Sequence, residues 1–323
     1  MTVLVAADFT PGEWAAWWPA LQAAFQAALP GERLVRARSG APSGEPAAMP
    51  TDTIDVALVA NPPPGALRGL PGLRLVQSLW AGVDGLLADA SVPTDVPLAR
   101  MVDPWMYEAM AQTALWAVIA LHRGFFGYAG QQQRAEWCQH PQRRADEVGV
   151  AVLGLGRMGR AAAQRLARNG YCVTGWSRHA QALDGVATRA GPAALAQVLA
   201  AAQIVVNLLP LTPATRGLFN EKAFAAMPRG ASLVNLGRGA HVVEADLLAA
   251  LDSGQLGHAV LDVFHTEPLP AAHPFWPHPK ISVLPHIAAQ TDPRSAACIA
   301  AANVLALREG RPPENVVDRT RGY

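Results

Sequence analysis

Short apolar runs broken by Pro and Gly fill the first hundred residues: Val3–Ala7, Ile54–Ala60 and Leu73–Ser78, with NPPPG at Asn61–Gly65. Runs of this length between turn residues predict buried strands of a small α/β unit. The stretch Ser39–Pro50 reads as a loop, either a plain surface connection or a lid over a substrate. After Pro104 the period changes: Ala109, Ala111, Leu115, Val118, Ile119 and Leu121 fit the buried faces of one long helix over Trp105–Arg123. Trp105, Trp116, Phe125 and Phe126 suit a partner interface or core packing equally well.

Beyond Arg144 the chain alternates. Strands are predicted at Val148–Leu153, Tyr171–Trp176, Ile204–Leu208, Ser232–Leu236, His258–Asp262 and Ile281–Leu284. Helices are predicted between them at Arg160–Asn169, Pro192–Ala202, Glu221–Met227 and Glu244–Ser253. This order implies an α/β fold, a doubly wound parallel sheet whose ligand lies at the carboxyl ends of the strands. A last helix, Pro293–Glu309, is expected to return to the first unit. One domain would then comprise residues 1–100 plus 289–323, and the other residues 101–288.

Composition narrows the class. At 323 residues the chain exceeds the usual size of a single core, and 51% hydrophobic with 16% charged residues excludes disorder. A formal charge of +1 gives no electrostatic case for nucleic acid or an anionic membrane. Three scattered cysteines, Cys138, Cys172 and Cys298, fit a reducing compartment without disulfides or a metal site. The N-terminus lacks the pattern of a secretion signal, and no apolar run is long enough to span a bilayer, so a cytoplasmic protein is expected.

Four motifs fall at predicted strand ends. GLGRMG opens a helix directly after a strand: Gly154 permits the turn, Gly156 lets a pyrophosphate approach the backbone, and Gly159 lets helix pack on strand. The helix N-terminus adds amide donors and positive dipole, and Arg157, beside Met158 within the glycine loop, adds positive potential. About 20 residues on, where an acid would bind the ribose hydroxyls of NAD, the chain has Ser177 and Arg178. A hydroxyl and a guanidinium can hold a 2′-phosphate, so NADP(H) is expected over NAD(H); the bland alternative for Arg178 is a solvated surface charge. The loop Asn207–Asn220, stiffened by Pro210 and Pro213, suits a wall beside the nicotinamide.

Arg238 in NLGRGA, Glu267 in HTEPLP and His286 in LPHIAA complete the set. Reduction of a 2-oxo acid needs a cation for the carboxylate and carbonyl, a proton donor for the developing alkoxide and a hydride source. Arg238 has the planar fork for the first task. His286 has the near-neutral titration for the second, and Glu267 would orient the imidazole and favour its charged form. His241, His265, His273 and His278 lack that setting and read as structural.

These motifs, with LPLTPATRGLFN, SLWAGVD and the tail VVDRTRGY, resemble the D-2-hydroxyacid dehydrogenase family, most nearly its NADPH-dependent glyoxylate/hydroxypyruvate reductases. The resemblance implies two Rossmann-like domains with the active site in the cleft between them, a small 2-oxo acid substrate, and a homodimer. It also implies that Leu209, Pro210, Thr215, Leu236, Gly237 and Asp262 border the cofactor. The loop Trp80-Ala81-Gly82-Val83 would bind the substrate carboxylate through its amides, with Trp80 either capping the pocket or packing in the core. Leu284 stands where relatives commonly carry Thr. Two alternatives stay open: a dinucleotide-sensing corepressor-like protein, and an NAD-linked dehydrogenase of other substrate range.

Overall fold

Every strand pairing in the two sheets is parallel, and the buried strands are the apolar runs of the sequence. The computed structural model describes residues 1–37 and 53–320; the expected lid segment 39–50 lies outside the described residues. The chain divides into two units, one of residues 1–105 with 291–323 and one of residues 106–290.

In the first unit β1 (Thr2–Ala7), β2 (Arg33–Arg36), β3 (Ile54–Ala60), β4 (Leu75–Ser78) and β5 (Leu98–Ala99) form a sheet of order β2-β1-β3-β4-β5. α1 (Pro11–Ala28) and the short α2 (Asp84–Ala88) accompany them. Helix α1 was not among the predicted elements: Pro19 interrupts its pattern, yet the helix runs through it. A capping box starts it, with the Thr10 hydroxyl accepting from the Glu13 amide at 3.2 Å and the Glu13 carboxylate accepting from the Thr10 amide at 2.8 Å.

In the second unit α3 (Pro104–His122), whose first two residues belong to the other unit, leads to α4 (Phe125–Gln133) and a seven-stranded sheet. The elements follow in the order β6 (Gly149–Leu153), α5 (Arg157–Arg168), β7 (Cys172–Ser177), β8 (Ala187–Ala190), α6 (Pro192–Ala201), β9 (Ile204–Asn207), α7 (Glu221–Ala226), β10 (Ala231–Asn235), α8 (Glu244–Asp252), β11 (Leu256–Leu261) and β12 (Ile281–Val283). Strand order is β12-β11-β10-β9-β6-β7-β8. The chain winds outward from β6 to β8, then restarts at β9 on the other side of β6. That reversal is the switch point where loops diverge and a ligand finds room.

Two cores flank this sheet. On one face Met110, Ala114, Ala117 and Val118 of α3 pack with Val150 and Val152 of β6 and Ala162, Ala163 and Leu166 of α5. On the other, Phe219, Phe224 and Phe275 fill the space around Leu233, Leu251 and Ala259. Trp105 and Trp116 are not core residues: they are 67% and 44% exposed.

α9 (Pro293–Arg308) belongs to the first unit and packs on α1. The Arg308 guanidinium, nearly buried, donates to Glu32 at 2.6 Å and to Asp55 at 2.9 Å. Two carboxylates are thus satisfied by one cation, and Arg308 ties the C-terminal helix to β3 and to the start of β2. Asp103, 1% exposed, caps α3 by accepting from the Trp105 amide at 3.0 Å and also takes the Ser295 hydroxyl at 2.5 Å.

Candidate functional site

The glycine turn lies at the end of β6 beside the switch point. Gly154 has φ +97°, a region closed to most side chains, and a Cβ there would come within 2.7 Å of the Leu208 carbonyl oxygen. A Cβ on Gly159 would fall 1.7 Å from the Gly154 oxygen, so helix and turn pack as closely as backbone allows. A Cβ on Gly156 would meet nothing within 4 Å. Of the three glycines of the turn, the one with open space before it is the one where a pyrophosphate needs to approach. α5 starts there without a side-chain cap, leaving its first amides for an anion. The residues present therefore fit a dinucleotide.

At the end of β7, held to the turn by the Gly154 amide donating to the Trp176 carbonyl at 2.8 Å, stand Ser177, Arg178 and His179. Ser177 is 6% exposed and its hydroxyl donates to the His179 carbonyl at 2.7 Å. That bond closes the turn at the corner where the 2′-phosphate is expected. Arg178 and His179 are exposed, and no acid occupies positions 177–183. Leu209 and Leu236 are core residues, 7% and 4% exposed, and Met158 is half-buried against the α5 core. Thr215 braces the 207–220 loop: its hydroxyl donates to the Pro210 carbonyl and accepts from the Thr212 amide, both at 2.8 Å.

Three strand ends build the polar centre. Arg238 follows β10, with one guanidinium N–H donating to the Gly237 carbonyl at 2.7 Å. Gly239 lets its turn press on the next loop, since a Cβ there would come within 2.0 Å of the Phe264 backbone. Glu267 follows β11. Its Oε1 accepts from the Phe264 amide at 2.8 Å, and its Oε2 lies 2.6 Å from Nδ1 of His286, which follows β12. The His286 side chain is 55% exposed and that of Glu267 35%, so the pair faces solvent rather than the core.

His286 itself has φ +54°, rare for a residue with a Cβ. Asp262 holds it there. The Asp262 carbonyl accepts the His286 amide at 3.0 Å, and its carboxylate accepts the Ile287 amide at 2.7 Å and the Ala288 amide at 3.1 and 3.2 Å. Asp262, expected beside the cofactor, is 1% exposed and serves as the brace of the His286 loop. The sequence carried no direct signal of this, because the brace joins residues 24 to 26 apart.

Charges follow from that geometry. The hydrogen bond to Glu267 raises the His286 pKa; burial opposes it, the charges of Glu267 and Asp262 reinforce it, and that of Arg238 opposes it. Burial pushes the Glu267 carboxyl up, but the His286 and Phe264 hydrogen bonds and the charges of His286 and Arg238 outweigh it and hold it below its ordinary value. Burial raises Asp262, despite the amides that bind its charged form. The arrangement is a histidine–carboxylate pair within electrostatic reach of a guanidinium, with the charged form of the histidine favoured by the carboxylate.

The model of the D-isomer specific 2-hydroxyacid dehydrogenase NAD binding domain matches residues 115–288. The chain belongs to the D-isomer specific 2-hydroxyacid dehydrogenase family. Among its relatives, glyoxylate/hydroxypyruvate reductase A of Serratia proteamaculans is 44% identical over 274 residues, 83% of this chain and 88% of the relative. A D-isomer specific 2-hydroxyacid dehydrogenase of Xanthobacter autotrophicus Py2, solved with NADPH and MES, is 42% identical at a TM-score of 0.91, covering 100% of this chain and 99% of that one. The NADPH-dependent glyoxylate/hydroxypyruvate reductase of Sinorhizobium meliloti, solved with NADP and sulfate, is 36% identical at 0.88, with coverage of 100% and 99%. In this dehydrogenase His265, His273 and His278 have structural partners: the Val242 carbonyl, Glu244 and Asp252, respectively.

The loop Trp80–Val83 lies in the first unit, at the carboxyl end of β4. Trp80 packs edge-on to Phe9 and Trp17, with ring centroids at 5.9 and 5.5 Å, and its carbonyl accepts the Met101 amide. Among the described residues the amides of Ala81, Gly82 and Val83 have no protein acceptor. Trp80 is thus an aromatic-cluster residue that fixes a short run of backbone donors.

Proposed function

We propose that this dehydrogenase reduces small 2-oxo acids, glyoxylate and hydroxypyruvate, to the corresponding 2-hydroxy acids with NADPH. The observation that carries the reading is the 2.6 Å pair of His286 and Glu267 within electrostatic reach of Arg238, on the sheet that presents the glycine turn. The names of the relatives in Serratia and Sinorhizobium support the substrate class, and the nucleotides bound in the Xanthobacter and Sinorhizobium structures support NADPH.

The roles follow from the chemistry of each group. The Gly154–Gly159 turn and the α5 amides would hold the pyrophosphate, with Arg157 adding positive charge, and Arg178 the 2′-phosphate. When bound, the nicotinamide supplies the hydride. Arg238 anchors the substrate carboxylate and carbonyl. Glu267 holds Nδ1 of His286, leaving Nε2 to deliver a proton to the developing alkoxide. In the oxidative direction the neutral ring takes that proton back.

The test is consumption of NADPH on adding glyoxylate, hydroxypyruvate and longer 2-oxo acids to the purified enzyme. Turnover with the two short acids is expected, and none with any 2-oxo acid would exclude the reading. For the cofactor, Arg178→Ala is expected to raise the KM for NADPH by about 10-fold or more and leave that for NADH nearly unchanged, the loss of one charge-assisted contact. Equal KM values for both cofactors in the parent enzyme would reject the role of Arg178.

A homodimer and a cytoplasmic location belong to the same reading. Trp116, Phe125 and Trp137 of the second unit expose 44%, 50% and 94% of their surface, an apolar display that a second copy would cover. Light scattering is expected to give twice the 34.1 kDa chain mass, and Trp137→Ser to shift it toward the monomer. A monomeric parent enzyme would refute this. No helix among the described residues is long and apolar enough to cross a membrane.

A further inference from the structure

Asn207 and Asn235 end β9 and β10 and face each other in register. With His241, three residues past Arg238, they form a polar triangle that is 0% exposed, an arrangement tolerated in a core only when its groups are paired. Asn207 Nδ2 donates to Asn235 Oδ1 and to His241 Nδ1, both at 2.8 Å, while Asn207 Oδ1 accepts the Leu209 amide at 3.2 Å. Asn235 Oδ1 also accepts the Gly237 amide at 3.3 Å, and its Nδ2 donates to the Arg238 carbonyl at 3.0 Å. The Arg238 amide donates to His241 Nδ1 at 3.2 Å.

Because Nδ1 receives two N–H groups, the ring proton sits on Nε2, which faces the Pro210 carbonyl at 3.3 Å. The fit is tight: a Cβ on Gly237 would stand 3.0 Å from Asn207 Nδ2 and from the Leu209 oxygen, and 3.2 Å from the His241 ring.

We propose that Asn207, Asn235 and His241 are positioning residues of the reaction: they fix Arg238 through both its backbone N–H and its C=O, and tie that strand end to the 207–210 loop. The triangle spans the carboxyl ends of two neighbouring strands beside the switch point. It therefore sets the direction from which the Arg238 side chain leaves, and small errors in such placement are costly to rate. The inference rests on the reading of Arg238 as the substrate anchor.

Two replacements of His241 separate positioning from packing. In His241→Asn an amide oxygen takes the place of Nδ1 and keeps the Arg238 amide and Asn207 bonded. In His241→Gln the amide reaches only the place of Nε2, and those two bonds are lost. The Gln variant is expected to raise the glyoxylate KM about 10-fold, with the Asn variant within about threefold of the parent and the NADPH Kd, read by fluorescence quenching, within about threefold in both. Equal KM in the two variants, or any order other than Gln worse than Asn, overturns the proposal. Should the Gln variant not fold, Asn235→Ser removes the donor to the Arg238 carbonyl; a raised KM at unchanged NADPH Kd supports the proposal and an unchanged KM overturns it. Arg238→Gln in the same series keeps the two ideas apart: an unchanged KM there refutes the anchor itself, whereas a raised KM beside a normal His241→Gln refutes only the positioning role.

Discussion

Replacing His286 by Ala is expected to lower kcat for glyoxylate reduction by about 10²–10⁴-fold, the usual contribution of a positioned general acid, while the NADPH Kd stays within about threefold. The alkoxide formed by hydride transfer needs a proton, and His286, whose charged form Glu267 favours, is the group assigned to supply it. Steady-state rates with fluorescence quenching for cofactor binding check both halves, and a kcat within threefold of the parent would remove His286 from the role. The pH profile gives a second reading. Reduction requires the protonated ring, whose pKa is raised first by the Glu267 hydrogen bond. Turnover should therefore hold at low pH and fall as pH rises through that raised value. In Glu267→Gln the largest raising cause is weakened and burial still favours the neutral ring, so the fall should move to lower pH. A profile that stays in place would show that Glu267 does not control the proton.

Arg238→Gln is expected to lower kcat/KM for glyoxylate by about 10²–10³-fold, the scale of losing a donor aimed at developing oxyanion charge. Arg238→Lys should recover little of it, because an ammonium on a flexible stem lacks the planar fork that meets a carboxylate with two parallel bonds. The same substitution carries an electrostatic signature: the Arg238 charge depresses the His286 pKa, so its removal should move the fall in activity to higher pH, opposite in direction to Glu267→Gln. Steady-state pH profiles of the two variants side by side check this. Shifts of the same sign would contradict the assigned charge pattern.

Much of the second unit was legible in sequence because its strands are nearly continuous apolar runs, as a sheet covered on both faces requires. Predicted and observed strands from β6 to β12, except β8, differ by no more than two residues at either end. The strands that escaped prediction are short or weakly apolar edge pieces: β2, half-exposed, β5, two residues long, and β8, whose four residues are Ala, Thr, Arg and Ala. Helix α1 escaped because Pro19 breaks its period. The glycines were legible through their spacing, and the turn sterically requires two of them, Gly154 and Gly159.

What sequence could not supply were contacts between side chains and distant backbone. Ser177 stands at the expected corner, but its proton goes to the His179 carbonyl. Leu209 and Leu236, expected beside the cofactor, turn their side chains into the cores. The Asn207–Asn235–His241 triangle left no trace beyond three polar letters near strand ends, and His241 read only as a structural histidine.

The chain alone thus determined the longer apolar strands of the second unit and their parallel order, and singled out the glycine turn, Arg238, Glu267 and His286 as candidates, because periodicity and local spacing encode backbone form and residue chemistry directly. Tertiary structure alone decided which atoms meet: the 2.6 Å contact that raises the His286 pKa, the Asp262 brace that holds His286 at φ +54°, and the buried triangle behind Arg238. Hydrogen bonds and charge shifts fall off over a few ångströms, and only the folded sheet brings residues 19 to 34 positions apart to that range.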